Sequence, residues 1–137
     1  MDEVVLPHHL IDRIIAHGRA VYPDEACGIL AGEGNEVSVV YEATNIERSP
    51  VSYLMDPHEQ FRIMKEIRQS GMRMIAIYHS HPVSSPYPSH TDVKQAFYTD
   101  AAYVIAGLSD PDRPVVKAFE IAEGKVCEIA IVIKHEK

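Results

Sequence analysis

Apolar residues recur at helical spacing after Pro7, at Leu10, Ile11, Ile14, Ile15 and Ala16. This predicts a helix over roughly residues 7–20, with Pro7 at its start. "CGILAG" and "EVSVVYEATN" follow as β-rich runs, and the "GEGN" between them reads as a hairpin turn. A second helix carries its own punctuation in "MDPHEQFRIMKEIRQSGM". Asp56 can cap it, Pro57 suits the first helical position, Glu59 completes a capping box and Gly71 stops it. "RMIAIYHSH" alternates as a strand, with Met74, Ala76 and Tyr78 on one face and Ile75, Ile77 and His79 on the other. "PVSSPYPS" is too rich in proline for regular structure. A short helix from about His90 to Tyr98 comes next, then an apolar strand, "AYVIAGLSD". Two strands around an "EGK" turn close the chain in "PVVKAFEIAEGKVCEIAIVI".

The predicted order is helix, hairpin, helix, strand, helix and three strands. That is an α/β or α+β domain, a mixed central sheet flanked by helices. No repeat or linker interrupts it, so residues 1–137 are expected to form one domain.

Composition narrows the function classes. The 137 residues are 46% apolar and 24% charged, as in globular proteins rather than disordered chains. No apolar run approaches the ~20 residues that span a bilayer, and "MDEVVLPHHL" lacks the regions of a signal peptide. A cytoplasmic protein with no membrane partner is expected. The net charge of −7 disfavours nucleic acid as a partner, because phosphate backbones reward basic patches. Arg62, Lys65 and Arg68 are spaced as one solvated helix face. Cys27 and Cys127 are too few for a disulfide framework and form no Cys-x-x-Cys pair. Both lie in apolar segments and are expected to be buried, inert thiols.

The chemistry concentrates in "HSHPVSSPYPSHTD", residues 79–92. His79 and His81, two apart on a strand, project to one face roughly 6.5–7 Å apart along the backbone, close enough to turn toward one ion. Pro82 ends the strand. Three prolines (Pro82, Pro86 and Pro88) restrict the ten-residue span that leads to Asp92. Two histidines and a carboxylate leave a tetrahedral ion one open position, the composition of catalytic zinc sites. A second reading stands level with this on spacing alone. "SHTD" is also a capping box with Ser89 at the N-cap, and an aspartate acting as ligand would have to turn away from the cap. His90 is expected to face solvent. His8, His9, His17, His58 and His135 have no partner at ligand spacing.

An activated water also needs a group to carry its proton. Glu25, in "PDEACGIL", sits just before a strand expected to lie beside residues 73–79, although an acid at such a junction is more often a surface group. Cys27 has no paired histidine and is not read as a nucleophile.

"PDEACGIL" followed by "YHSHPVSSPYPSHTD" resembles the JAMM motif of the MPN metalloproteases: a glutamate, then His-Ser/Thr-His-Pro, then Ser-x-x-Asp. "ERSPVSYLMDPHE" is similar to the segment that bacterial and archaeal members carry ahead of their second helix, and the likeness spans most of the chain. It implies a cytidine-deaminase-like fold. It also implies one Zn2+ per chain on His79, His81 and Asp92, with Glu25 as general acid/base and Ser89 as donor to the oxyanion. Ser80 would be structural. The implied reaction is hydrolysis of the peptide or isopeptide bond after the C-terminal Gly-Gly of a ubiquitin-like protein. The chain looks like the short prokaryotic members, some of which trim a sulfur-carrier protein. The glycine tail is expected to add as a strand near "ATNIERSPVSYLMD". A homodimer is one allowed assembly. The rival readings are a non-catalytic MPN scaffold, a 2-His-1-carboxylate iron enzyme and a DNA-associated relative, the last disfavoured by the acidic charge.

Overall fold

The computed structural model describes residues 1–135, so the last two positions of the expected 1–137 span lie outside the described residues. The chain runs through β1 (Glu3–Pro7), α1 (His8–Val21), β2 (Cys27–Glu33), β3 (Glu36–Ala43), α2 (Pro57–Gln69), β4 (Arg73–His81), α3 (His90–Lys94), β5 (Ala102–Gly107), β6 (Val115–Ala122) and β7 (Lys125–Lys134). The strands close on themselves in the order β1-β3-β2-β4-β5-β6-β7. The mixed α+β architecture expected of the chain is present, with its sheet rolled into a barrel.

Closure depends on β1, which the periodicity did not reveal. It pairs in parallel with β7 from Glu3↔Ala130 to Pro7↔Lys134 and touches β3 at Val5↔Glu36. Five residues are too few for alternation to stand out, and their partners lie at the far end of the chain. Pro7 is accordingly the last residue of β1 and the N-cap of α1 rather than its first helical residue.

Three further expectations are corrected. On β4, Met74 does not share a face with Ala76 and Tyr78. The β2–β4 register shifts between Leu30 and Ala31, leaving Ile75 as the extra residue, and the bulge reverses the alternation on its N-terminal side. The third helix stops at Lys94, with Gln95 as C-cap. Tyr98, expected at its end, is held by tertiary bonds instead: its N–H donates to the Tyr103 hydroxyl at 3.0 Å, and its own hydroxyl accepts from Gln60 at 3.1 Å. Cys127 is exposed, on a strand with solvent along much of its length, whereas Cys27 is buried.

Two apolar clusters flank the sheet. One joins Leu10, Ile11 and Ile14 of α1 to Val4, Leu30, Tyr78 and Val104. The other joins Ile63 and Ile67 of α2 to Cys27, Ile29, Ile77 and Ile105. His17, set aside in the sequence, is buried against the first, its Nδ1 2.7 Å from the Tyr78 hydroxyl. Asp56 caps α2 through the amides of His58 and Glu59, and Gly71 ends the segment at φ +73°. Glu59 does not close the expected capping box. Its carboxylate takes the Thr44 amide and hydroxyl at 2.6 and 2.9 Å, tying α2 to the end of β3.

The β2–β4 pairing that carries the site needs Gly28. A Cβ there would collide with the Tyr78 ring and the Tyr41 carbonyl oxygen. Gly28→Ala is therefore expected to cost about 3 kcal/mol, read as a Tm lower by roughly 10 °C in a calorimetric scan.

Candidate metal centre and its surroundings

Strand register places the chemistry on one face. In the antiparallel β2–β4 pair Cys27 lies opposite His79. Beyond it, Ser80 N–H donates to the Ala26 carbonyl at 3.0 Å, and Ala26 N–H donates to Ser80 Oγ at 2.8 Å. Glu25, one residue before Ala26, lies near enough to His81 and Asp92 for their charges to act on it. Side chains two apart share a face, so Glu25, Cys27, His79 and His81 all project to the α2 side. Ser80 points away and fastens the start of β2, directly beside Glu25.

The two imidazoles and Asp92 converge. His79 Nε2 and His81 Nε2 are 3.1 Å apart, and Asp92 Oδ2 is 3.1 Å from the first and 3.0 Å from the second. All three residues are buried, at 1%, 2% and 9% exposure. His81 Nδ1 is 2.7 Å from the Ser85 carbonyl oxygen, which can only accept. The ring therefore carries a proton on Nδ1, and with a cation in the site it would turn a bare Nε2 lone pair inward. Asp92 Oδ2 already accepts the Ser89 N–H at 2.9 Å. Acceptor atoms crowded within about 3 Å of one another repel unless a positive charge lies among them. A nitrogen, nitrogen and oxygen donor set at this spacing, with one imidazole fixed by a carbonyl on its far side, fits a zinc-type cation.

The two readings of "SHTD" turn out to be one arrangement. Asp92 N–H donates to Ser89 Oγ at 3.1 Å while Ser89 N–H donates to the Asp92 carboxylate, a complete capping box. The carboxylate does not turn away from the cap to reach the histidines, because the oxygen that serves the cap is the one that meets both rings. His90 is exposed, as expected.

Electrostatics separate the two carboxyls of the site. Burial alone would raise Asp92, but hydrogen bonds with His79 and His81 and from the Ser89 amide hold it well below the usual carboxylate range. Burial lowers His79, partly offset by Asp92. Burial opposes charge on His81 too, yet its bonds to Asp92 and to the Ser85 carbonyl raise it overall. Glu25, 3% exposed, has a carboxyl oxygen with no partner among the described residues. Burial pushes it up to about 8; His81 draws it down, and Asp92 and Glu47 add to the rise. Burial, helped by Glu59 and Glu25, pushes the Cys27 thiol up to about 12. It stays a thiol at neutral pH and is no nucleophile.

Sequence reasoning missed two supports. Asn45 uses its whole side-chain amide: Nδ2 donates to the Glu25 and Ser52 carbonyls at 3.1 Å each, and Oδ1 accepts from Glu47 and Leu54 at 3.0 Å each. Together with the Glu25 N–H bond to the Ser49 carbonyl at 2.8 Å, it fixes the backbone beneath Glu25. The second is the contact of Tyr53, a residue expected with Ser52 to take the glycine tail, with a candidate ligand: its ring stacks on His79 with centroids 4.7 Å apart. An asparagine at the end of a strand was a usable signal for a bridging amide. Nothing local marked the stacking of Tyr53 on His79.

Fold and centre together define a metallohydrolase-type domain. The family described as prokaryotic homologs of the JAB domain matches residues 7–122. The CysO-cysteine peptidase of Mycobacterium tuberculosis is 39% identical over 127 residues, covering 91% of this chain and 87% of that one. A probable TtuB-protein conjugate cleaving protease of Thermus thermophilus is 35% identical over 129 residues, covering 93% and 81%. A protein from Desulfitobacterium hafniense, solved in solution, superposes with a TM-score of 0.88 at 36% identity, covering 97% of this chain and 94% of that one. The chain belongs to the prokaryotic JAB-domain family, the short prokaryotic branch of the JAMM/MPN proteins, and is a hydrolase. Among the described residues no helix is long and apolar enough to cross a membrane.

Proposed function

We propose that this protein is a zinc-dependent peptidase that hydrolyses the amide bond following the C-terminal Gly-Gly of a ubiquitin-like sulfur-carrier protein. The observation that carries the reading is the convergence of His79 Nε2, His81 Nε2 and Asp92 Oδ2 within about 3 Å of one another in a buried pocket. Those three residues would hold the ion, which supplies Lewis acidity toward water and toward a carbonyl oxygen at neutral pH. The relatives named above act on a CysO-cysteine bond and on TtuB-protein conjugates, which supports a ubiquitin-like or sulfur-carrier substrate.

Glu25 carries the proton. Its carboxyl takes one from the attacking water and returns it to the departing nitrogen, and burial brings its affinity for protons close to the working pH. Ser89 Oγ accepts from the Asp92 amide, which leaves the hydroxyl hydrogen free to donate to the oxyanion. Tyr53 offers the tail a place to dock. Ile46 N–H donates to the Leu54 carbonyl and Asn45 Oδ1 accepts from Leu54 N–H, yet the Tyr53 N–H and carbonyl between them make no bond among the described residues. These free groups, beside the ring on His79, suit an extended glycine tail added as a strand.

The test is to incubate the zinc-loaded protein with a sulfur-carrier protein extended beyond Gly-Gly and follow its mass. Loss of the extension, abolished by chelator and restored by zinc, is the expected result. An unchanged mass with zinc in place, or turnover that requires iron and oxygen, would overturn the proposal.

A further inference from the structure

We propose that Tyr53 is a positioning residue for the metal centre. Its ring, stacked on His79, does for that imidazole what a hydrogen bond to the far nitrogen does for His81. The proposal rests on the zinc reading and concerns how one ligand is aimed. The lone pair that a histidine offers to a cation lies in the plane of its ring. That plane turns about the Cβ–Cγ bond, a torsion with only broad preferences of its own, so a ligand histidine needs an outside partner. Ordinarily the nitrogen facing away from the ion donates to a carbonyl or a carboxylate. His81 follows this pattern, with Nδ1 2.7 Å from the Ser85 carbonyl oxygen. His79 does not. Its Nε2 lies 3.1 Å from His81 Nε2 in the same centre, yet its Nδ1 is buried with no hydrogen-bond partner among the described residues.

What lies against the His79 ring is Tyr53. The two ring planes are 29° apart, with centroids separated by 4.7 Å, within the range of stacked aromatic pairs. Packing of face on face opposes a swing of the imidazole plane and asks nothing of Nδ1. The Tyr53 hydroxyl makes no hydrogen bond among the described residues, so the side chain acts through its ring.

The ring stands on a firm support. Asn45, itself buried, grips the chain on both sides of Tyr53. Its Nδ2 donates to the Ser52 carbonyl at 3.1 Å, and its Oδ1 accepts from Leu54 N–H at 3.0 Å. A β-bridge between Asn45 and Met55 closes the segment one residue further on. The same Nδ2 holds the Glu25 carbonyl at 3.1 Å. One side chain therefore sets both the backbone of the proton carrier and the residue that aims His79.

The probe is Zn2+ itself, its affinity measured by competition with a chromophoric chelator for the parent, Tyr53→Phe and Tyr53→Leu. Phe keeps the ring and is expected to bind zinc as tightly as the parent. Leu fills much of the same space without a flat face, and should weaken zinc by about 10- to 100-fold. Urea denaturation of the chelated proteins checks that both variants fold. A second measurement needs no variant: nitrogen-15 NMR of the imidazoles in the zinc-loaded parent. Both Nδ1 atoms should carry a proton, that of His81 moved downfield by its carbonyl acceptor and that of His79 not. Leu and Phe variants that bind zinc equally tightly would overturn the role of Tyr53 and leave the peptidase reading standing. So would a His79 Nδ1 proton moved as far downfield as that of His81. A parent that binds no zinc would overturn the metal reading, and this proposal with it.

Discussion

Glu25→Gln is expected to lower kcat of the zinc-loaded protein by about 10²–10⁴-fold with metal content unchanged, as read by metal analysis beside the rate. Gln keeps the shape and burial of the side chain but can neither take the proton from water nor return it to nitrogen. The same substitution has a second effect on the metal-free protein. Folding raises the Glu25 carboxyl from 4.5 to about 8. Below pH 4.5 both folded and unfolded chains hold the proton, and above 8 neither does. In between, only the folded chain holds it, so stability falls as pH rises across that window. At about 1.4 kcal/mol per pH unit the window amounts to roughly 3–5 kcal/mol. Glu25→Gln removes this titration. The chelated variant should gain stability over the parent as pH is raised from 4.5 to 8, with the gain level above that, by urea denaturation at each pH. A Gln variant as active as its parent would take the proton carrier out of the mechanism.

The sequence disclosed the site more fully than the fold because the two depend on different ranges of interaction. His79 and His81 lie on one strand, and Asp92 follows after a proline-stiffened span with Ser89 beside it. Spacing and turn chemistry suffice to bring these residues into view. Glu25 required knowing that β2 pairs antiparallel with β4 in the register Cys27↔His79, which spacing alone does not fix. The resemblance to a known motif supplied that link. What stayed hidden was set by tertiary partners: β1 by its pairing with β7, Tyr98 by bonds to Tyr103 and Gln60, Glu59 by Thr44. Ile75 illustrates the same point within one strand, since a single extra residue reversed the faces of an otherwise regular alternation. Asp92 was underestimated for a different reason. Cap and convergence with the imidazoles looked like alternatives only while the carboxylate was taken to serve one direction.

That double duty makes Asp92→Asn the substitution with the widest reach. Asn keeps an acceptor for the Ser89 amide and much of the helix start, yet it removes the negative charge that would neutralise a cation between His79 and His81. Zinc should no longer be retained through gel filtration, and hydrolysis should fall to the uncatalysed rate, while Ser89→Ala, which removes a cap and no ligand atom, should retain the metal. Without metal the variant is expected to lose on the order of 3 kcal/mol relative to the parent at neutral pH, because the charged acceptor of both imidazoles is gone. The pH dependence runs opposite to that of Glu25. The folded chain holds Asp92 below its unfolded pKa of about 3.9, so its contribution is present above that value and disappears as pH falls further. Denaturation of the chelated proteins from pH 7 down to 2 should therefore show parent and Asp92→Asn converging on the acid side, where Glu25 variants show no divergence. If Asp92→Asn bound zinc as tightly as the parent, the cap would be the whole purpose of this aspartate and the metal would have to sit elsewhere.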